Sequence, residues 1–297
     1  MVTDAAIDAA ADDETTELQS LADRLVREVA SYRSAAVALS GGVDSAVVAA
    51  AAVRALGKAA VAITAQSPSV AMREREDAAR IAALTGIRHT VLPTDEFASD
   101  AYRANSGDRC FHCKSTLYDA MSRWAAERGI ESLVSGTNAD DLGDYRPGLR
   151  AAAAFAVRHP LAELGISKAS VRRLARLWNL PVADKPASPC LSSRLAVGVP
   201  ATPERVQRIE QAEALVRAII GDRPLRVREE ASDLARLELP VDCLPHVMDT
   251  AIREPLTDQL KALGYRAVTI DLEGFRSGSL NVLVPLAMHA SDAPSLR

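Results

Sequence analysis

The sequence predicts an α/β protein with a doubly wound parallel sheet, followed by a smaller α+β domain. Short apolar runs alternate with helical patterns as far as about residue 178, as expected for a parallel sheet with crossover helices on both faces. Gly- and Ser-rich segments follow two of those runs. Beyond Pro200 the pattern changes to one long helix and short alternating segments, which predicts a separate second domain.

The first domain is predicted over residues 18–185, after an acidic, frayed N-terminus at 1–17. Leu18, Leu21, Leu25 and Val29 recur at helical spacing and predict an amphipathic helix. Glycines after later periodic segments mark further helix ends. The predicted strands are 35–39, 59–65, 88–92 and 132–135, and the predicted helices between and after them are 44–56, 70–84, 114–127 and 168–178.

The second domain is predicted over residues 186–286, with a disordered tail at 287–297. Thr202 and Pro203 suit the N-cap and first position of a helix that runs to residue 220. The remaining elements are predicted as strands at 225–229, 235–239 and 266–272 and a helix at 247–263.

Composition limits the class of protein. The chain has 297 residues, 48% of them hydrophobic, and a formal net charge of −4, which argues against a broad nucleic-acid-binding surface. No apolar run approaches the ~18 residues of a membrane span, and the acidic start lacks the basic residues of a signal peptide. We therefore expect a cytoplasmic protein, in which the four cysteines are poor candidates for structural disulfides.

The segment Ser40–Ser45, with the sequence SGGVDS, joins the first predicted strand to the next helix. Its glycines permit close approach of an anion, and the helix start supplies unpaired amides. No Gly-Lys-Ser/Thr follows, so this is not a Walker A loop. A loop of amides and hydroxyls without that lysine is better suited to binding released pyrophosphate than to transferring a γ-phosphoryl group. The alternative is an ordinary glycine turn.

The cysteines form a second candidate site. Cys110 and Cys113 make a CxxC pair just before a predicted helix, where the helix N-terminus lowers the pKa of a thiol, and Cys190 lies in KPASPCLSSR at 185–194. A half-formed zinc site is the alternative, with Cys243 or His112 as a further ligand.

Five motifs occur in a fixed order: SGGVDS, then DRCFHCK at 108–114, GTNADDLGDYRPG at 136–148, KPASPCLSSR at 185–194 and RVR at 226–228. The first resembles the pyrophosphate loop of the PP-loop ATP pyrophosphatases, an adenine-nucleotide alpha hydrolase-like fold. Together the five resemble the LarE family over about residues 18–285. These are ATP-dependent sulfur transferases that mature the nickel-pincer nucleotide cofactor of lactate racemase.

The resemblance implies a reaction and its residues. A carboxylate of pyridinium-3,5-biscarboxylic acid mononucleotide attacks the ATP α-phosphate, pyrophosphate leaves, and sulfur converts the acyl-adenylate to a thiocarboxylate. The CxxC pair beside Cys190 implies the family variant in which three cysteines hold a [4Fe-4S] cluster, which leaves one iron open. The alternative is that Cys190 gives up its own sulfur. The resemblance also implies Mg²⁺ with ATP and a homo-oligomer without membrane or stable nucleic-acid partners.

Further residues are candidates for these roles. Ser40, Gly41, Gly42, Asp44 and Ser45 match the loop, and Thr64 lies at the carboxyl end of the second strand, where ligands of such sheets bind. Asp140, Asp141 and Asp144 are candidates for Mg²⁺, with capping as the alternative. Lys185 is a candidate for neutralising the adenylate. Arg194, Arg226 and Arg228 are candidate clamps for a substrate phosphate or carboxylate, and Glu238 and Asp271 are candidates for a second metal or substrate site.

Three rival functions remain open at this point. A tRNA thiolation enzyme shares the loop and the use of cysteines, but predicts a basic surface. An amide-forming synthetase needs no group of three cysteines. A nucleotide-sensing module would bind ATP without releasing pyrophosphate.

Overall fold

The structure is a computed structural model that describes residues 4–143 and 147–276, with side chains from Thr15 onward. It divides into two compact units. The first contains residues up to 66 together with 72–94 and 114–185, and the second contains 67–71, 95–113 and the residues from 186 onward. Asp144 and the predicted tail at 287–297 lie outside the described residues. No helix in the described ranges combines the length and the apolar character needed to cross a bilayer.

The first unit is built on a four-stranded parallel sheet with the strand order β3-β2-β1-β4. Its strands are β1 (Ala35–Ala38), β2 (Ala60–Gln66), β3 (Arg88–Pro93) and β4 (Ser132–Val134). Its helices are α1 (Asp4–Ala30), α2 (Val43–Leu56), α3 (Met72–Thr85), most of α5 (Arg109–Ala126), α6 (Pro147–Ala154), α7 (Pro160–Glu163) and α8 (Lys168–Leu177), while α4 belongs to the second unit. This confirms the predicted fold class.

Helix α2 is the centre of the core in the first unit. Its residues 46–52, an Ala/Val run, are all fully buried. Side chains of α1, β1, β2, α3 and α8 complete the same hydrophobic cluster. Small side chains let these elements approach closely, so the loop before α2 is held on a tightly packed base.

The second unit contains a three-stranded sheet with the order β5-β6-β7, in which β5 and β6 are antiparallel and β6 and β7 are parallel. The strands are β5 (Arg226–Glu230), β6 (Leu234–Glu238) and β7 (Ala267–Ile270). The helices are α4 (Asp100–Ala104), α9 (Pro203–Ile220), α10 (Leu244–Met248) and α11 (Thr250–Ala262), with the first turn of α5. Thr202 caps α9 as predicted, since its side chain accepts from the amide of Arg205.

Two helix starts differ from the sequence prediction. Helix α1 begins at Asp4 rather than at residue 18, so the acidic, Ala-rich start continues the helix. Helix α5 begins at Arg109 rather than at residue 114, and it therefore contains the CxxC pair in its first turn. Gly107, with a φ of 103°, separates α4 from α5, and no glycine or proline interrupts 109–114.

Candidate functional site

The glycine-rich loop at 40–45 has the local geometry of an anion site. Gly41 has a φ of 78°, which favours glycine, and a Cβ at this position would lie 2.7 Å from the carbonyl oxygen of Glu74. Gly42 is the N-cap of α2 and no side chain caps it. The first hydrogen bond of the helix runs from the Ala46 amide to the Gly42 carbonyl. The earlier amides therefore remain available to an anion at the positive end of the helix dipole.

The two serines of the loop stabilise its turn. The Ser45 hydroxyl donates to the Gly42 carbonyl at 3.0 Å and accepts from the Ser40 amide at 3.2 Å. The Ser40 and Ser45 hydroxyls are also 3.2 Å apart. Ser45 is buried, whereas Ser40 is exposed, so Ser40 is the hydroxyl that is accessible to a ligand.

Gly136, directly after β4, lies against the start of α2. A Cβ built on Gly136 would be 2.6 Å from the Ser45 amide nitrogen and 2.8 Å from the Asp44 carbonyl carbon. Both neighbours are backbone atoms, so neither can rotate away. The GTNADD motif therefore requires its glycine in order to pack against the phosphate loop.

Acidic and basic side chains surround the loop. Asp44 pairs with the Lys168 ammonium and accepts a hydrogen bond from the Asn138 side-chain amide at 3.2 Å. The backbone amide of Asn138 in turn donates to Asp141 at 3.1 Å. Asn138 thus connects Asp44 to Asp141. Asp140 accepts from the Lys168 amide at 2.8 Å.

Thr64 and Lys185 have framework contacts that differ from the predicted ones. Thr64 is buried, and its hydroxyl donates to the Leu39 carbonyl and shares a hydrogen bond with His89, each at 2.8 Å. Its hydroxyl therefore ties the end of β1 to β2 and β3, and its role in binding a cofactor stays a prediction. The Lys185 ammonium contacts Gly41, Glu74 and Asp77, so it fixes the loop against α3.

In the second unit, the cysteines of the CxxC pair lie on the first turn of α5. They are three residues apart and therefore share one helix face. Cys110 is exposed, while Cys113 is half-buried and packs against a cluster that includes Phe97, Tyr102 and Leu191. Leu191 directly follows Cys190, so two of the three predicted cysteines adjoin the same small core.

The segment after Cys190 is held by several hydrogen bonds. The Arg194 guanidinium donates to the Cys190 carbonyl at 3.1 Å. The Leu191 amide donates to the Ser69 carbonyl at 2.8 Å, and the Ser192 hydroxyl is 2.8 Å from the Tyr102 hydroxyl. These contacts fix the backbone on both sides of the thiol-bearing residue.

A second set of contacts joins the same segment to the start of α5. Asn105 has a φ of 52°, a left-handed conformation that Asn tolerates. Its side-chain amide donates to the carbonyls of Ala196 and Val199 at 2.8 and 2.9 Å, and its oxygen accepts from Arg109. Arg109 directly precedes Cys110, so the two cysteine-bearing segments share one hydrogen-bonded framework.

Two arginines that contact the Cys190 segment have buried carboxylate partners. Arg194 pairs with Glu213 at 2.8 Å, and Arg228 pairs with Glu238 at 3.0 Å and donates to the Ser193 carbonyl. The guanidinium of Arg194, a predicted clamp, donates to Glu213 and to the carbonyls of Pro189 and Cys190, and its clamp role stays a prediction. A buried arginine in such a pair is a structural element.

Arg226 is different. It is 5% exposed, its guanidinium stacks 5.0 Å from the ring centroid of Phe275, and the described part of the chain gives it no ion pair. Burial, together with the neighbouring cations Arg228 and Arg194, lowers the pKa of Arg226 to about 10. A buried cation with cationic neighbours favours an incoming anion, because the anion relieves both the desolvation and the repulsion.

The side chains predicted as metal ligands do not form a complete metal site among the described residues. Within the described residues, no group of three or more His, Cys, Asp or Glu side chains is arranged to hold a metal ion. Glu238 accepts from Arg228 and Arg236, and Asp271 accepts from Arg236 at 2.6 Å. These carboxylates thus neutralise arginines, and the second metal or substrate site stays a prediction. The thiols of Cys110, Cys113 and Cys190 are a donor set of the kind that binds iron–sulfur clusters.

Sequence reasoning missed several residues of both sites. Lys168 and Asn138 contact Asp44 from distant positions, and although Asn138 lies in the GTNADD motif, nothing in the sequence indicated that either residue contacts Asp44. Glu96 is buried and accepts from Ser67 and Ser69, and Tyr102 joins Ser192. The available signal was polar residues near the carboxyl ends of β2 and β4, which indicated the region but not the partners.

Comparison with known proteins shows what the chain resembles. A family model described as asparagine synthase matches residues 18–246. An uncharacterized protein of Synechocystis is 44% identical over 265 residues, covering 89% of this chain and 98% of that protein.

Two relatives have named activities. The pyridinium-3,5-bisthiocarboxylic acid mononucleotide synthase of Lactiplantibacillus plantarum is 32% identical over 270 residues, covering 91% of this chain and 96% of that enzyme. The tRNA-specific 2-thiouridylase of Xanthobacter autotrophicus is 33% identical over 192 residues, covering 51% of this chain and 49% of that enzyme. The first similarity extends over both units, and the second over about half of the chain.

Proposed function

Since the chain belongs to the LarE family of ATP-dependent sulfur transferases, within the asparagine synthase-type PP-loop enzymes, we propose a specific reaction for it. It adenylates a carboxylate of pyridinium-3,5-biscarboxylic acid mononucleotide, releases pyrophosphate and converts the carboxylate to a thiocarboxylate. The product serves the nickel-pincer cofactor of lactate racemase. The observation that carries the proposal is the uncapped, lysine-free loop at 40–45.

The first half-reaction belongs to the first unit. A carboxylate oxygen of the substrate attacks the α-phosphorus of ATP, the bond to the bridging oxygen breaks, and pyrophosphate departs. The loop amides and the Ser40 hydroxyl bind the departing diphosphate, whose charge the helix dipole stabilises. Asp44 and Asp141, which Asn138 connects, are the carboxylates that would hold Mg²⁺, because this ion binds through one or two carboxylates and the substrate phosphates.

The second half-reaction belongs to the second unit. A sulfide attacks the acyl carbon, AMP leaves with the bonding electron pair, and a thiocarboxylate remains. Cys110, Cys113 and Cys190 would hold a [4Fe-4S] cluster, which when bound supplies an open iron for that sulfide. The framework around Ser192 and Asn105 fixes two of these thiols against one core, which supports a shared ligand. The alternative is donation of the Cys190 sulfur itself, which leaves dehydroalanine.

Arg226 binds an anionic group of the substrate. Its guanidinium lacks a carboxylate partner among the described residues, and Arg228 and Arg194 lie near it. A phosphate or carboxylate of the mononucleotide would pair with it bidentately. Arg228 positions Ser193, three residues after Cys190, by donating a hydrogen bond of 2.8 Å to the Ser193 carbonyl.

The test uses anaerobically purified protein incubated with ATP, Mg²⁺ and the pyridinium dicarboxylate mononucleotide. We expect pyrophosphate and AMP only when the substrate is present, together with iron and labile sulfide in the protein. Cys110→Ala abolishes iron binding, whereas Cys243→Ser, at a buried cysteine of the second unit, leaves it unchanged. Normal iron content in Cys110→Ala contradicts the cluster.

The intact mass after turnover separates the two sulfur sources. Loss of ~34 Da from Cys190 identifies sacrificial donation, because dehydroalanine is what a donor cysteine leaves behind. An unchanged mass after several turnovers supports the cluster. Sedimentation of the purified protein tests the proposed homo-oligomer.

The similarity to a tRNA thiouridylase favours a second candidate function, thiolation of tRNA. A thiouridylase binds the nucleic-acid backbone through basic side chains, whereas this chain has 35 Lys and Arg against 39 Asp and Glu. Pyrophosphate release stimulated by tRNA and not by the pyridinium nucleotide would reverse the order of the two candidates.

A further inference from the structure

Tyr102 is a buried residue for which the proposed reaction has no direct use. It lies in α4 and is 1% exposed. Its ring packs edge-on against Phe97, with ring centroids 5.0 Å apart. The Ser99 side chain caps the turn that carries it. Ring and backbone are therefore fixed, and the hydroxyl has a defined position.

That hydroxyl lies between the two cysteine-bearing segments of the second unit. It is 2.8 Å from the Ser192 hydroxyl, two residues after Cys190. On the other side, Cys113 packs against the hydrophobic cluster to which Tyr102 belongs. Burial raises the pKa of the Tyr102 phenol, and its proximity to Cys190 and Cys113 raises it further. Both sulfurs are thus within electrostatic reach of one oxygen atom.

We propose that Tyr102 is a positioning residue of the sulfur site, whose buried hydroxyl anchors Ser192 and thereby holds Cys190 next to Cys113. The proposal deepens the proposed function and rests on it for the identity of the shared ligand. That both cysteine-bearing segments adjoin the core around Tyr102 rests on the fold alone. Without the hydroxyl, the segment after Cys190 keeps its contact with Ser69 and the packing of Leu191 in the core, but loses its side-chain hydrogen bond to α4.

The experiment measures the distance between thiols in metal-free, reduced protein. A short bifunctional thiol reagent is added, and cross-linked peptides are identified by mass spectrometry. The Cys110–Cys113 cross-link is an internal control, because the helix alone sets their spacing. We expect Cys113–Cys190 cross-links in the wild type and a fall of about three- to tenfold in Tyr102→Phe, as for loss of one buried hydrogen bond.

Two further variants make the result decisive. Ser192→Ala removes the same hydrogen bond without touching the aromatic core, and we expect the same fall. Tyr118→Phe alters another buried tyrosine, in the first unit, and leaves the cross-link unchanged. If Tyr102→Phe does not fold, Ser192→Ala carries the test. Wild-type cross-linking in Ser192→Ala, or no Cys113–Cys190 cross-link in the wild type, overturns the proposal.

Catalysis provides a second readout. In Tyr102→Phe we expect pyrophosphate release at the wild-type rate and KM for ATP, but slower formation of the thiocarboxylate and a lower iron content. Equal loss of both half-reactions indicates a general structural effect and counts against positioning. If the wild type releases no pyrophosphate with the pyridinium substrate, the proposed function fails, while the cross-linking result still decides whether Tyr102 aligns the thiols.

Discussion

The Lys185 ammonium donates a hydrogen bond to the Gly41 carbonyl at 3.0 Å, and it also contacts the carboxylates of Glu74 and Asp77 at 2.8 and 2.6 Å. The two carboxylates of α3 hold the ammonium group in place, and the ammonium group in turn orients the Gly41 peptide of the loop. The same lysine neutralises two carboxylates beside a site for anions. Lys185 therefore holds the loop in the conformation that is proposed to bind an anion.

Replacement of Lys185 tests that role. In Lys185→Met, Glu74 and Asp77 are left without the cation, and we expect the KM for ATP to rise by about tenfold and stability to fall by ~1–3 kcal/mol. Lys185→Arg keeps the charge and recovers part of both. Lys58→Met, at an exposed lysine, is the control. An unchanged KM in Lys185→Met would contradict this account.

Gly136→Ala tests the close approach to α2. The added methyl group would lie 2.6 Å from the Ser45 amide nitrogen, so the loop must shift. We expect pyrophosphate release to fall by at least about a hundredfold, as for misplaced groups at reacting centres. Gly143→Ala, where an added Cβ meets nothing within 4 Å, should retain activity. Nucleotide binding by calorimetry and pyrophosphate release are the measurements.

Arg226 and Arg228 lie on the same face of β5 and should respond oppositely to replacement. Since burial lowers the pKa of Arg226 to about 10, Arg226→Met removes a desolvated charge, and the ligand-free protein should gain ~1–3 kcal/mol while substrate turnover is lost. Arg228→Met removes an arginine that donates to the buried carboxylate of Glu238 and should cost ~3–5 kcal/mol.

Denaturant unfolding of both variants, with and without the pyridinium nucleotide, decides the matter. Loss of stability in ligand-free Arg226→Met would mean that this guanidinium has a stabilising partner, and it would not then be an anion site. The nucleotide should stabilise the wild type and not Arg226→Met.

His89 should make the stability of the first unit depend on pH. Burial lowers the pKa of His89 from 6.5, and its ring shares a hydrogen bond with Thr64. The unfolded chain binds the proton more readily, so stability falls as pH drops below 6.5 towards the lowered pKa and levels off beneath it.

Thermal unfolding between pH 5 and 8 checks this on the scale of histidine titration. His89→Gln should show a shallower loss of stability on acidification than the wild type. His246→Gln, at an exposed histidine, should follow the wild type. Identical slopes in all three proteins would exclude His89 as the titrating group.

Much of the fold and the loop could be predicted from local sequence. The apolar runs at β1 and β2 became buried strands because buried parallel strands need no alternation, whereas β3 lies at the edge of the sheet and is partly exposed. The SGGVDS loop has the geometry that its two glycines allow. The start of α5 was harder to predict, because residues 109–113 carry no strong helix signal. The cysteines in this segment indicate chemistry rather than secondary structure.

The partners of charged residues were the least predictable part. Arg226 lies directly opposite Glu238 in the β5–β6 register, yet the Glu238 carboxylate binds Arg228 and Arg236. Side-chain directions decide between such neighbours, and sequence spacing does not specify them. The Tyr102–Ser192 contact spans 90 positions, so no local pattern indicates it.

The seven consecutive small apolar residues of α2 at 46–52 have a thermodynamic consequence for the loop that precedes them. Alanine has no rotamers, and buried valine in a helix has essentially one, so this helix has almost no side-chain entropy left to lose when a nucleotide arrives. Binding of a ligand to the loop therefore carries almost no entropic cost for ordering the side chains of α2.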